Sequence, residues 1–496
     1  MNVAMLLEMA ADGFGERVAV GDREHGLTYA QLLERARGAA SLFQQHGADR
    51  IVLVDVNSEI VPIALFGAAL AGLAFVPVNY RLADDRLRDV LARTAPALAI
   101  VGADAIDRVK GVDGVTVVRC DELVDAAEKE PPAEPGFTDP DDIAVLLFTS
   151  GTTGDPKAAV LRHRHLTSYV ISTVEFMGAG EDESALVSVP PYHIAGISAV
   201  LSSVYAGRRI VYLPQFEPRQ WADVARQQRI SHAMVVPTML TRILDAVEAA
   251  GAGLPALEHL SYGGGRMPVA VIERALAVLP GVGFVNAYGL TETSSTVAVL
   301  TPDDHAAAFA SDDPRVRARL GSVGRPLPVL EVEIRGDDGR ARPPGEAGEI
   351  WVRGEQVAGE YLGRGPSLTD DGWFRTNDGG WLDEDGFLFV SGRLDDVIVR
   401  GGENLSPGEI EDVLVQHPDV AEAAVVGVPD EEWGEVPAAA VVLVPGAAAR
   451  PVDLQEWVRS RLRSTRVPER IELVDALPYN ETGKLLRRVL KEQLVP

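Results

Sequence analysis

Cysteine is all but absent: a single residue, Cys120, stands in a chain of 496. One thiol cannot close an internal disulfide, and there is no cysteine cluster to hold zinc or an iron–sulfur centre. A reducing compartment fits, and a cytoplasmic location is expected. Positive charge is scarce as well. Forty-six Lys and Arg against 73 Asp and Glu leave a formal net charge of −27 at pH 7. A field of that sign repels phosphate backbones and anionic membranes, so nucleic acid is not an expected partner. An anionic nucleotide can still bind where backbone N–H groups, a few cationic side chains and a divalent metal reverse the sign locally. The N-terminal stretch lacks a basic start and carries Glu8 and Asp12, unlike a secretory signal. Long apolar runs are also few. Residues 60–78 hold no charge over 19 positions, near the ~20 that span a bilayer, but Pro62, Gly67, Gly72 and Pro77 interrupt them. They predict a buried helix and then a short buried strand, with no membrane span.

What is present is the material of a large globular protein. Its 46% hydrophobic and 24% charged content excludes a disordered or low-complexity chain, and the length leaves room for roughly two to four domains. Short β-branched runs at 51–56, 98–101, 143–148, 186–189, 209–213 and 233–236 alternate with helical patterns such as 29–45 and 220–228. That alternation predicts an α/β fold with mostly parallel sheets. Thr28 to Gln31 has capping-box spacing, and Ser406-Pro407-Gly408-Glu409 repeats it with Pro at the first helical position. The acidic stretch 301–319 reads as an exposed loop. From about residue 329, short strands closed by acidic Gly turns predict an antiparallel β subdomain. After Arg393 about 100 residues remain, enough for a small α+β domain. The expected division is 1–394 for a large domain of two α/β sheet subdomains plus the antiparallel one, and 395–496 for a mobile lid.

The densest chemistry follows the apolar strand IAVLLF: Thr149-Ser150-Gly151-Thr152-Thr153-Gly154-Asp155-Pro156-Lys157. Hydroxyls and glycines packed in this way let N–H and O–H groups converge on phosphate oxygens, and Lys157 adds a point charge. The spacing differs from the Walker motif, and Ala158 follows the lysine. His163 and His165 look like a metal pair, but no third ligand is near and Arg162 and Arg164 discourage a cation. They read as structural.

Further islands recur in a fixed order: VPPYHIAG (189–196), YGGGRMP (262–268), NAYGLTET (286–293), GWFRTND (372–378), GRLDDVIVRGGENLSPGEIE (392–411) and NETGK (480–484). Together with the 149–157 loop they resemble the adenylate-forming superfamily of acyl- and aryl-CoA synthetases over nearly the whole chain. The resemblance implies that a carboxylate attacks the α-phosphate of ATP, pyrophosphate leaves, and the acyl group passes from AMP to a thiol. It implies that Thr149, Ser150, Gly151, Thr152, Thr153, Gly154 and Lys157 hold the β- and γ-phosphates, and that Thr291 contacts the α-phosphate region. Glu292, with Thr149, would hold Mg2+. Gly264 and Gly265 would lie against the adenine, Asn286 would pair with its exocyclic amine, and Tyr288, followed by Gly289, would offer it a flat face. Asp378 would accept the ribose hydroxyls and Arg393 would donate to ribose or phosphate. His193 would gate the acyl pocket, built from residues 192–196, 235–239, 262–264 and 287–290. Lys484 would bridge carboxylate and phosphate in the first step, Gly401 and Gly402 would line the thiol channel in the second, and Asp395 would be the hinge between them.

The departures from the family pattern are Asn377 for a common Gly, Arg266 for a common Pro, Gly265 for a common Ala, and a less basic approach to the final loop at Tyr479-Asn480-Glu481. The expected partners are a small carboxylic acid, ATP and, as acyl acceptor, CoA. A stand-alone acyl-carrier protein is the alternative acceptor, since 12 residues after Lys484 leave no carrier domain. An unusual acid such as nitrite in diazo formation is the alternative substrate, and a homo-oligomer is left open. A non-catalytic AMP-binding scaffold would be expected to lack Lys484, Glu292 or Asp378, and all three are present.

Overall fold

The computed structural model describes residues 1–130, 138–149, 157–479 and 485–495. Two large sheets carry the body of the chain. The first has eight strands. Its parallel part runs Ile143–Thr149, Ala74–Pro77, Arg50–Val54, Ala97–Val101, Val115–Arg119, with Lys157–Arg162, Glu360–Tyr361 and Gly365–Pro366 added antiparallel along the Ile143–Thr149 edge. The second has nine. Parallel strands Gly283–Leu290, His259–Gly263, His232–Val235, Ser184–Val187, Arg209–Tyr212 and Val18–Val20 lie between the antiparallel Ser295–Leu300 with Arg325–Pro326 on one side and Leu27–Thr28 on the other.

Inner strands such as Arg50–Val54 and Ala97–Val101 are buried on both faces, which explains their near-continuous apolar runs. Ile51 and Leu53 join the core shared with the second sheet, whereas Val52 and Val54 pack on the opposite side. Helices Ala4–Phe14, Tyr29–His46, Ile60–Ala71 and Ile194–Ala206 fill the space between the sheets. Ile60–Ala71 has 11 of its 12 residues buried and leads into strand Ala74–Pro77, as the interrupted apolar run predicts. Among the described residues no helix is long and apolar enough to cross a membrane.

A four-stranded antiparallel sheet follows: Glu331–Arg335, Gly348–Arg353, Phe374–Leu382 and Leu388–Arg393. The last sheet has five strands, of which Glu403–Leu405, Ile398–Arg400, Gly434–Leu443 and Val420–Asp430 are antiparallel neighbours and Arg470–Leu473 runs parallel to Gly434–Leu443. Helices Pro407–Val415 and Pro451–Arg459 cover one face of it and Arg487–Leu494 the other.

The Thr28 capping box forms as its spacing predicts, with Thr28 Oγ1 accepting from Gln31 N–H at 3.2 Å and Gln31 Oε1 from Thr28 N–H at 2.9 Å. The second box does not. Pro407 opens its helix, but Ser406 Oγ donates to the Ser391 carbonyl at 2.9 Å and Glu409 pairs with Arg466. Ion pairing and tertiary contact here outbid the local cap. Residues 301–319 are likewise no loop. They form helices Pro302–Ala310 and Pro314–Arg317, the first capped by Thr301 and Asp304 with Pro302 at its start, and His305 and Ala308 are buried on it. The acidic texture of this stretch concealed a T-P-D-D helix start.

His163 and His165 open helix His163–Thr173: His163 Nδ1 accepts from Val3 N–H at 3.1 Å and His165 Nδ1 from Arg162 N–H at 3.2 Å. Burial lowers each to about 4, and lowers His232, beside Arg208, to about 3. These imidazoles are neutral in the folded chain, while the unfolded chain takes up their protons below about 6.5. Stability present at pH 7 is therefore lost as pH falls from about 6.5 towards 4, by up to about 1.4 kcal/mol per pH unit for each ring. The urea midpoint should drop between pH 7 and pH 5. A midpoint flat over that interval would contradict the assignment. Cys120 Sγ lies 3.2 Å from Asp55 Oδ2, and burial with that carboxylate pushes the thiol up, so it is no nucleophile.

Candidate active site at the carboxyl ends of the parallel strands

In open α/β sheets ligands bind beyond the carboxyl ends of the strands, and the nine-stranded sheet puts its polar segments there. His193 follows strand Ser184–Val187, Gly264 and Gly265 follow His259–Gly263, and Tyr288 to Glu292 close Gly283–Leu290 and begin the turn Thr291–Thr293. The backbone at Gly264 turns with φ +77, and Gly264 and Gly265 are exposed, leaving an open surface. Asn286 is buried and its Nδ2 donates to the Ser322 carbonyl at 3.1 Å, which fixes the amide and leaves its oxygen as the acceptor an exocyclic amine requires. Tyr262 differs from the pocket-lining role expected of it. It is fully buried, and its hydroxyl meets His305 Nε2 at 2.8 Å while His305 Nδ1 meets the Thr301 carbonyl at 2.8 Å.

Asp378 is 7% exposed and gathers the next group. Tyr288 donates its hydroxyl to Asp378 Oδ2 at 2.7 Å, and Arg393 Nη1 reaches Oδ1 at 3.3 Å and the Thr376 carbonyl at 3.1 Å. Burial, reinforced by the Asp378 carboxylate, pushes the Tyr288 phenol well above its ordinary range, so it remains a donor. Strands Phe374–Leu382 and Leu388–Arg393 bring this pair to a residue of the nine-stranded sheet. Asn377 has φ 60, a conformation Gly and Asn both tolerate, which accounts for Asn where Gly is common. Its Nδ2 donates to Asp395 Oδ2 at 2.6 Å.

Of the phosphate loop, Ser150, Gly151, Thr152, Thr153 and Gly154 lie outside the described residues; its stems do not. Thr149 Oγ1 donates to the Lys157 carbonyl at 3.3 Å, and the Lys157 ammonium stands 5.5 Å from the centroid of the Tyr361 ring. Tyr361 donates to Glu292 Oε1 at 2.5 Å, so Lys157 of the eight-stranded sheet and Glu292, in the turn Thr291–Thr293 between two strands of the nine-stranded sheet, meet on one tyrosine. Burial and Glu292 push this phenol up as well. Sequence reasoning missed Tyr361 and the strap that carries it. Gln356 Nε2 donates to the carbonyls of Thr293 at 3.0 Å and Thr296 at 2.8 Å, and Ala358 and Gly359 N–H groups donate to the Glu292 carbonyl at 2.8 and 3.1 Å. The strap holds a strained turn, with Ser294 at φ 54 and Ser295 at φ 109. No local signal in 354–361 announces this, because each bond joins residues about sixty or more positions apart.

His193 caps the 13-residue helix Ile194–Ala206, half-buried, its ring tilted against Tyr192 at 5.0 Å. Gly401 and Gly402 follow strand Ile398–Arg400 with φ +57 and +84, and Gly401 N–H donates to the Trp433 carbonyl at 2.8 Å. Arg266, beside the exposed glycines, reaches helix Pro407–Val415 and pairs with Asp412. Gly408 makes room for it, since a Cβ there would stand 1.7 Å from Arg266 Nη1. Burial raises the Asp412 carboxyl and Arg266 opposes that rise. Lys484 lies outside the described residues. The structure thus brings Thr149, Lys157, Glu292 and Tyr361 together, and likewise Tyr288, Asp378 and Arg393.

This arrangement defines a class: an α/β protein whose two large, mostly parallel sheets and smaller antiparallel sheet bring Glu292, Tyr361 and Lys157 to one corner and Tyr288, Asp378 and Arg393 to another cluster. Comparison with known proteins narrows it. Residues 7–362 match the AMP-binding enzyme family, and residues 409–484 match the AMP-binding enzyme C-terminal domain. The chain is 35% identical over 470 residues to a feruloyl-CoA synthase from an Amycolatopsis species, covering 93% of this chain and 92% of that protein. It is 33% identical over 483 residues to a fatty acid acyl-carrier-protein ligase from Streptomyces coeruleorubidus, covering 94% and 91%. The solved o-succinylbenzoate CoA synthetase of Bacillus subtilis, in complex with its acyl-adenylate intermediate, superimposes with a TM-score of 0.85 at 29% identity over 98% of this chain and 97% of that one. The chain belongs to the AMP-binding enzyme family, as an adenylate-forming ligase of the acyl- and aryl-CoA synthetase kind.

Proposed function

We propose that the protein joins a carboxylic acid to AMP at this cleft and passes the acyl group to CoA. A carboxylate oxygen attacks the α-phosphorus, the bond to pyrophosphate breaks, and a thiol then attacks the acyl carbonyl with AMP as leaving group. Both steps are substitutions at charged centres, so positioning and fixed charge supply most of the acceleration. The observation that carries the reading is the meeting of Glu292, Tyr361 and Lys157 at the stems of the phosphate loop, next to Tyr288, Asp378 and Arg393.

The donor set suits Mg2+, which commonly takes one or two carboxylates and completes its shell with phosphates and waters. Glu292 is one buried carboxylate, and Thr149, whose proton goes to the Lys157 carbonyl, keeps a lone pair to offer. Among the described residues no group of three or more His, Cys, Asp or Glu forms an all-protein metal cage. Glu292 and Thr149 would hold such an ion, whose positive charge would offset that on the departing pyrophosphate. Asp378 receives the ribose hydroxyls, Gly264 and Gly265 leave the adenine room, and Asn286 accepts from its amine. A substrate carboxylate beside His193 also meets the positive end of helix Ile194–Ala206.

Lys484 and the Gly401-Gly402 turn serve successive steps from a small domain beginning near Asp395, which turns to present each in its time. Among the contacts that hold the present orientation are Asn377 with Asp395, Ser406 with Ser391 and Arg266 with Asp412. The experiment is pyrophosphate release over a panel of fatty, aryl, small branched and unusual acids including nitrite, with and without CoA. We expect release with an organic acid and thioester formation with CoA. Thioester formed only on an acyl-carrier protein would replace CoA as acceptor, and silence across the panel would remove the catalytic reading.

A further inference from the structure

Tyr361 is anchored at both ends, its main chain on one side and its hydroxyl on the other. On its own side, strand Glu360–Tyr361 pairs with Lys157–Arg162 through Tyr361 and Ala159, and Leu362 N–H donates to the Ala158 carbonyl at 2.9 Å. Glu360 and Arg162 form a two-pronged ion pair at 2.9 and 3.0 Å. The ring therefore moves with the phosphate-loop hairpin. Its hydroxyl nevertheless ends on Glu292, a residue placed by the nine-stranded sheet and held at its own carbonyl by Ala358 and Gly359. A glutamate side chain turns freely about its last torsion unless something stops it. Here one oxygen is taken by a rigid phenol while the main chain of the same residue is clamped.

We propose that Tyr361 is a positioning residue for the metal-holding carboxylate: by donating to Glu292 Oε1 it fixes the plane in which Glu292 presents its oxygens, and so ties the phosphate-loop hairpin to the cation. This rests on the Glu292 reading under Proposed function. Mg2+ demands near-octahedral geometry at short distances, so a misaligned carboxylate loses affinity steeply. Groups that orient metal ligands through one hydrogen bond typically cost 10–100-fold in metal affinity when removed. Tyr361→Phe deletes the hydroxyl and keeps the ring, its packing and the Lys157 contact.

The test is titration of the full-length protein with Mn2+, followed by electron paramagnetic resonance, with α,β-methylene-ATP present so that no reaction occurs. Tyr361→Phe should weaken Mn2+ about 10-fold and leave affinity for the metal-free nucleotide unchanged. The Mg2+ concentration for half-maximal pyrophosphate release should rise by the same factor, with the rate at saturating Mg2+ recovering to within a few-fold. Glu292→Gln runs alongside. If it loses Mn2+ while Tyr361→Phe titrates as wild type, the inference fails alone. If both titrate as wild type, the Glu292 assignment fails and takes the inference with it. Equal loss of metal-free nucleotide binding in Tyr361→Phe, or a fall in its urea midpoint that matches the loss, would mark a merely structural tyrosine and also overturn it.

Discussion

Replacing Asp378 by alanine should weaken ATP binding at least ~100-fold, because two charge-assisted hydrogen bonds to the ribose, at ~1.5–3 kcal/mol each, are lost together. The structure makes this carboxylate hard to substitute. It is buried, its backbone N–H is tied to Thr376 Oγ1 at 3.0 Å, and it receives both the Tyr288 hydroxyl and Arg393. A carboxylate with about four lone-pair directions can accept vicinal hydroxyls beside those donors. Alanine also strands the Tyr288 hydroxyl and leaves the half-buried Arg393 guanidinium with the Thr376 carbonyl but without its carboxylate, so a loss of about 1–3 kcal/mol in folding stability should accompany the binding defect. Asp378→Asn separates the two effects. It keeps shape and one acceptor, so it should retain most of the stability but little of the ribose affinity. Calorimetric ATP titration and urea unfolding of both variants measure this. Wild-type ATP affinity in the alanine variant would remove Asp378 from the nucleotide site.

Lys484→Ala should lower acid-dependent pyrophosphate release by about 10²–10³-fold, the scale on which one transition-state charge contact acts. Thioester formation from a supplied acyl-adenylate should stay within a few-fold of wild type. The match to the AMP-binding enzyme C-terminal domain runs through residue 484, and the flanking Tyr479 and Leu485 pair as an isolated bridge, with the Tyr479 hydroxyl donating to Glu422 at 3.0 Å. Lys484 itself lies outside the described residues, between Tyr479 and Leu485 of that bridge. A residue brought in for one step can be dispensable for the other. Equal loss of both half-reactions would show that Lys484 serves the protein in a single fixed arrangement.

Legibility of the fold followed the range of the interactions. The alternation of strand and helix, the buried helix at 60–78, the hairpins after 329 and the Thr28 cap all depend on neighbours a few positions away, and each is found where the sequence places it. Local signals also misled. The charge of 301–319 hid a capped helix, and the Ser406 box gave way to contacts with Ser391 and Arg466. For the site, ordered motifs supplied candidates without their neighbours. Tyr361 joins Glu292 across 69 positions, Tyr288 joins Asp378 across 90, and Arg266 reaches Asp412 across 146. Tyr262 shows the converse: a residue beside the motif glycines points its hydroxyl into the core at His305.

By itself the sequence determined the α/β class, the family and the types of chemical group available, because periodicity, backbone demands on glycine and the spacing of polar motifs are properties of short stretches of chain. Only the tertiary structure decided which groups act together. Lys157 belongs to one sheet and Glu292 to a turn between two strands of the other, and they share Tyr361 because those sheets pack on common helices and a strap from residue 356 onward crosses between them. Such a meeting depends on the summed burial of two cores, which no window of sequence contains.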